Sequence, residues 1–165
     1  MKQVYKILPL VIVIMLTSCI KTYNDIELTT GSRLPSFSAI TDSGKEVNAT
    51  SFDRGYGLIV FFNTNCPDCQ KELPIIQNLY EKFKEDILFL AISRNEPYSS
   101  IKEYWEANAL DLPFSAQEDA ALFNLFAYHT IPRTYVIKNG FIVAQWDDNP
   151  TMTENDFIKI TKINK

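Results

Sequence analysis

The chain has 165 residues, 46% of them apolar and 22% charged, with 16 basic and 20 acidic side chains and a formal net charge of −4. That length allows one domain with a real core, and the composition excludes a disordered or collagen-like chain. The acidic balance argues against nucleic acid, or an anionic lipid surface, as the partner.

The first residues stand apart from that core. Met1 to Lys6 carries Lys2 and Lys6, Ile7 to Leu16 is an apolar run, and Leu16-Thr17-Ser18-Cys19 follows. The run is too short for a permanent bilayer-spanning helix, which takes about 20 residues, and the order basic, apolar, small is that of an export leader. Leu-Thr-Ser-Cys resembles the lipobox of bacterial lipoproteins, which implies a signal peptide over 1–18 and acylation of Cys19. An ordinary secretory leader with an incidental cysteine is the alternative. Several acyl chains on one residue would hold the chain stably on a membrane. Ile20 to Arg33 is polar, with little periodicity, and contains Thr29-Thr30-Gly31-Ser32; it reads as a tether. One domain is expected over 34–165, without internal repeats.

Within it, Ser36 to Ile40 and Lys45 to Asn48 read as short strands around Thr41-Asp42-Ser43-Gly44, a turn rich in residues that tolerate unusual backbone angles. Leu58 to Phe62 is a continuous apolar run, suited to a strand buried on both faces. Pro67 to Lys84 has helical spacing; Pro67 is tolerated near its start, and Pro74 is expected to kink it. Ile87 to Ile92 is a second buried strand, so a right-handed parallel crossover is expected. A helix over Ser99 to Ala107, a short strand over Leu112 to Ala116 and a short helix over Asp119 to Ala127 come next. Thr134 to Ile137 and Phe141 to Gln145 flank Lys138-Asn139-Gly140, a strong hairpin signal. The last helix starts near Thr153, where Thr151 and Glu154 have capping-box spacing. The fold class is α/β, a mixed central β-sheet flanked by helices with an N-terminal β-hairpin.

The chemistry concentrates in FFNTNCPDCQKELP, Phe61 to Pro74. Cys66 falls at the mouth of a helix, where free backbone N–H groups and the helix dipole favour a thiolate. Cys69 lies one turn deeper. This arrangement assigns attack on a partner's disulfide to Cys66 and resolution of the mixed disulfide to Cys69. A structural disulfide would more usually tie distant parts of the chain. Zinc usually takes four ligands, and the pair adds only His129 to its own two sulfurs. An Asp68 carboxylate between the sulfurs opposes a thiolate, so a reducing couple is expected.

This segment resembles the active-site stretch of thioredoxin-like proteins, most closely membrane-anchored envelope reductases of the TlpA and ResA type, in which an apolar strand precedes Cys-x-x-Cys, Glu and Pro. The resemblance extends to Ile131-Pro132-Arg133-Thr134-Tyr135-Val136-Ile137-Lys138-Asn139-Gly140 and covers most of 34–163. It implies a thioredoxin-like fold and a redox disulfide formed by Cys66 and Cys69. It also makes Pro132 the cis-proline that, with Ile131, borders a bound partner, and Glu72 the acid that serves the thiols. Position supports the last role, because Glu72 lies one turn beyond Cys69, within reach of its proton. A solvated glutamate favoured by the helix dipole is the other reading, and both stand at this point. Asn65, where the family often has Trp, and Arg133, where Thr is common, depart from the pattern and bear on partner choice.

His129 reads either as a proton carrier near the thiols or as a loop residue with a local hydrogen bond. Arg133 reads as a partner-binding charge or a solvated side chain. Trp105, Trp146 and the phenylalanines read as packing residues.

The expected protein is a lipid-anchored thiol-disulfide oxidoreductase of the bacterial envelope, facing the periplasm. It would reduce disulfides of exported proteins, be recharged by an envelope electron donor, and require no cofactor or metal. Two alternatives remain. A peroxiredoxin-like thiol peroxidase would carry Pro-x-x-x-Thr/Ser-x-x-Cys, but the matching positions hold Ile59 and Asn63. A copper module would use Cys66, Cys69 and His129, since soft thiolates suit copper(I).

Overall fold

The structure, a computed structural model, describes residues 26–147 and 151–163. The expected leader, Cys19 and the start of the expected tether lie outside the described residues.

A five-stranded sheet runs in the order β5-β4-β3-β6-β7, with a separate two-stranded sheet of β1 and β2. β1 (Ser38–Ile40) and β2 (Glu46–Asn48) pair antiparallel across the expected turn, where Gly44 takes φ +81°. A 3₁₀ turn over Ala49–Phe52 leads into β3 (Tyr56–Phe62). β3 lies parallel to β4 (Ile87–Ser93), and β4 lies parallel to β5 (Phe114–Ser115). β6 (Arg133–Lys138) runs antiparallel to β3, and β7 (Phe141–Trp146) closes the hairpin. Asn139 at φ +51° and Gly140 at φ +79° supply the left-handed pair that a tight hairpin turn requires.

Handedness explains where the helices go. β3 to β4 and β4 to β5 step the same way across the sheet, so two right-handed crossovers put both connecting helices on one face. These are α1 (Pro67–Phe83) and α2 (Tyr98–Ala107), joined on that face by α3 (Glu154–Thr161). Alternate residues of β3 then serve two cores. Leu58, Val60 and Phe62 pack under the helices, while Ile59 and Phe61 pack on the other side with Phe37, Phe52, Phe123, Phe126 and Tyr135. Burial on both faces is why the run is unbroken by polar residues. α1 continues through Pro74 as one helix.

Several sequence expectations need correction. Asp119 to Ala127 is not a helix; only Phe123–Leu125 forms a 3₁₀ turn. The segment returns from β5 across the second face, burying Leu122, Phe123, Phe126 and Ala127. That burial imitates helical spacing. The capping box of α3 is formed by Thr153 and Asp156 rather than Thr151 and Glu154: the Asp156 N–H donates to Thr153 Oγ1 at 3.2 Å, and the Thr153 N–H donates back to Asp156 Oδ2 at 3.1 Å.

Residues 26–33 are not a free tether. The Leu28 N–H donates to Phe126 O, Gly31 N–H to Ile142 O, Ile142 N–H to Ser32 O and Leu34 N–H to Gly140 O, all at 2.8 or 2.9 Å. The folded body therefore starts upstream of Leu34, as a strap along β7. Among the described residues no helix is long and apolar enough to cross a membrane.

Candidate active site

β3 ends at Phe62 and the chain turns at once into α1. Phe61 pairs with Arg133 on the neighbouring antiparallel strand, so the start of β6 lies at the same end of the sheet. That register brings Cys66 to the Ile131–Pro132 bond, which is cis. Cys66 Sγ lies 3.6 Å from the Ile131 carbonyl.

Cys66 is the N-cap residue of α1, and the Cys69 N–H donates to its sulfur at 3.3 Å. A backbone donor thus faces the Cys66 sulfur at the mouth of the helix. Cys66 is half-buried and Cys69 is fully buried, and both are thiols. Burial, and a hydrogen bond shared with Cys66, push the Cys69 thiol far above the ordinary range. It does not ionise unaided at neutral pH. The Asp68 carboxylate, expected to oppose a thiolate, is held by Lys71 Nζ at 2.7 Å.

Glu72 is 1% exposed, so the solvated reading fails. Its side chain lies under β6, where Thr134 Oγ1 donates to Oε1 at 2.6 Å and Oε2 has no hydrogen-bond partner. Burial lifts its pKa from an ordinary 4.5 to about 7, against the opposing pull of the Thr134 hydrogen bond, and Asp147 adds to the rise. Glu72 is close enough to Cys69 for its charge to raise that thiol further. A buried carboxyl with a pKa near neutrality therefore lies one helical turn along α1 from a buried thiol.

The loop between β3 and Cys66 is held by a residue the sequence did not single out. Glu96, 2% exposed, accepts the Thr64 N–H at 2.8 Å on Oε2 and the Thr64 hydroxyl on Oε1. Asn63 adds two tethers: its Nδ2 donates to Arg94 O at 3.2 Å, and its Oδ1 accepts the Asn65 N–H at 2.9 Å. Gln70 donates to Thr64 O at 2.7 Å. Nothing in a loop glutamate's sequence context marks it as a buried acceptor.

Arg133 is neither solvated nor offered to a partner. On β6 it points away from Glu72, into the second face, where Nη1 meets Glu27 Oε1 at 2.6 Å with the Arg133 side chain only 4% exposed. His129 also leans on Glu27, at 3.7 Å, and stacks on Tyr128. The loop-residue reading of His129 fits this placement. Among the described residues no three His, Cys, Asp or Glu side chains gather as a metal site. Trp105 is core, as expected, whereas Phe141 is exposed beneath the Arg33 guanidinium.

Beside Cys66 opens a groove of about 410 Å³, bordered by Asn63, Asn65, Arg94, Asn95, Ala120 and Ile131. It gives the half-buried sulfur an approach from solvent.

Residues 30–145 match the AhpC/TSA family. The chain is 29% identical over 113 residues to the thiol-disulfide oxidoreductase ResA of Geobacillus thermodenitrificans, a match covering 67% of this chain and 64% of the relative. The match thus spans less than two-thirds of that relative's length. The thioredoxin domain of a thiol-disulfide oxidoreductase from Bacteroides vulgatus superposes with a TM-score of 0.69 at 22% identity, over 82% of this chain and 97% of that one. The peroxidoxin BcpB of Mycobacterium tuberculosis superposes with a TM-score of 0.68 at 15% identity, over 84% and 100%. At these identities the two structures speak to the thioredoxin-like fold, which both chemistries share.

Proposed function

The chain belongs to the AhpC/TSA family, and from that premise we propose that it is a thiol-disulfide oxidoreductase that reduces partner disulfides through Cys66 and Cys69. The observation that carries this reading is the asymmetry of the two thiols. Cys66 is reachable and faces a backbone donor; Cys69 is buried one turn below, and Glu72, a further turn along the same helix, is a buried carboxyl with a pKa of about 7 whose charge acts on Cys69.

In the first step Cys66 gives up its proton to solvent and its sulfur attacks a partner's S–S bond, forming a mixed disulfide and releasing one partner thiolate, which solvent protonates. Glu72 then takes the Cys69 proton, and the Cys69 sulfur attacks Cys66 Sγ. The mixed disulfide breaks, the second partner thiolate leaves, and Cys66–Cys69 becomes the oxidised pair. Two electrons have passed to the partner, so a donor must return them. Ile131 and Pro132 border the partner's chain, whose backbone can pair with the edge they present.

The leader over 1–18, acylation of Cys19, a lipid-anchored periplasmic location and exported clients belong to this proposal on the strength of the sequence. The peroxidase reading is less well supported. Ile59 is buried in the sheet, and the Asn63 side chain is spent on Arg94 and Asn65, leaving no hydroxyl at these positions to orient a peroxide. The copper reading lacks its third ligand, since His129 lies with Glu27.

Cys69→Ala tests the proposal. The variant should accumulate reductant-sensitive adducts on Cys66 in the cell envelope, and these should vanish when Cys66 is also replaced. Rapid turnover of hydroperoxides by the intact protein, with no disulfide reduced and nothing trapped, would replace the reductase reading by the peroxidase one.

A further inference from the structure

We infer that the groove beside Cys66 selects partner proteins whose attacked disulfide is flanked by an acidic residue, and that Arg94 reads that carboxylate. The inference rests on the reductase reading and adds a partner class to it.

Arg94 follows β4 and is fixed by the active-site loop itself. Its N–H donates to Phe62 O at 2.8 Å, and its carbonyl accepts from Asn63 Nδ2 at 3.2 Å. Its guanidinium lies over the Phe123 ring, 4.5 Å from the centroid. Stacking of this kind uses the π-face and leaves the N–H fork available for a planar carboxylate. The side chain is half-buried and lines the same groove as Cys66.

No ion pair forms there among the described residues, although the chain carries more acidic than basic side chains. Two acids on the neighbouring segments make other hydrogen bonds. Glu96 turns both oxygens to Thr64, and Asp119 Oδ1 accepts the Ala121 N–H at 2.8 Å. The remaining polar side chains of the groove, Asn63, Asn65 and Asn95, are neutral. A pre-positioned cation without a counter-ion, beside a nucleophilic sulfur, matches an anionic group carried in by the disulfide partner.

The test uses the full chain in its reduced form and three peptide disulfides that differ only beside cysteine, with Glu, Ala or Lys. The reduced protein should reduce the Glu peptide about three to ten times faster than the Lys peptide at low salt, the range expected of a partly exposed ion pair. The ratio should shrink toward one at about 1 M salt. Arg94→Gln should collapse the ratio at low salt, and Arg94→Glu should invert it. Thermal melts of both variants establish that the fold survives. Equal rates for all three peptides with the unaltered protein overturn the inference while leaving the reductase reading intact. Variants that slow every peptide alike, with the ratio kept, also overturn it, because Arg94 is then only a brace for the loop. Failure to reduce any of the peptides overturns the reductase reading, and the inference with it.

Discussion

Replacing Glu72 with Gln removes a charge from a buried position while keeping its shape, and the consequence depends on pH in a way the site's geometry dictates. Glu72 has a folded-state pKa of about 7 against an ordinary 4.5, so between these values the native protein holds a proton that the unfolded chain has released. Stability contributed by this group is thus full below about pH 4.5, falls as pH rises through the window, and is flat above 7. A rise of that size corresponds to ~3 kcal/mol. Gln can still accept the Thr134 hydrogen bond, but its amide replaces Oε2, which has no partner, at a cost of ~1 kcal/mol. The variant should therefore be ~1 kcal/mol less stable than the parent at about pH 4 and ~2 kcal/mol more stable at about pH 8. Denaturant unfolding of both proteins across that range gives the difference directly, since every other group titrates in both. Resolution of a mixed disulfide on Cys66 should slow by about 100-fold at about pH 8, the scale of a lost general base. In the parent it should slow as pH falls below 7. A stability difference that does not change with pH would refute the buried-carboxyl argument, and an unchanged resolution rate would refute the base role.

Two other substitutions probe the supports of the site. Glu27→Ala leaves the Arg133 guanidinium buried and unpaired, and should cost about 3 kcal/mol, whereas Arg133→Met should cost much less because it removes the buried charge itself; urea midpoints compare them. Glu96→Ala strips the Thr64 N–H and hydroxyl of their acceptor, and should cost ~2 kcal/mol and slow the first attack by Cys66, seen as slower mixed-disulfide formation with a chromogenic disulfide.

What the sequence made legible were features whose cause is local. β3 and β4 announce themselves because a strand covered on both faces has no polar alternation, and Asn139-Gly140 because few other pairs adopt the turn's backbone angles. Cys66 and Cys69 were placed by the strand-to-helix junction alone, and Pro132 by resemblance. The rest depends on long-range register. Whether Glu72 is wet or buried is decided by Thr134 lying over it, and whether Arg133 meets a partner or Glu27 is decided by which face of β6 it occupies. Leu122, Phe123, Phe126 and Ala127 follow a helical rhythm because they blanket a sheet, a case in which periodicity reports burial and not helix.

The strap over residues 28–34 has a consequence for how this protein behaves in concentrated solution. β7 is an outermost strand of the sheet, and backbone groups left unpaired on such an edge are a template on which a second molecule could add a strand. Gly31 and Ser32 occupy that edge at Ile142, and Leu34 is bonded to Gly140 in the adjoining hairpin turn. A chain shortened to begin after Leu34 would keep every residue of the redox pair and lose this cover, and its signature would be association between copies rather than loss of chemistry.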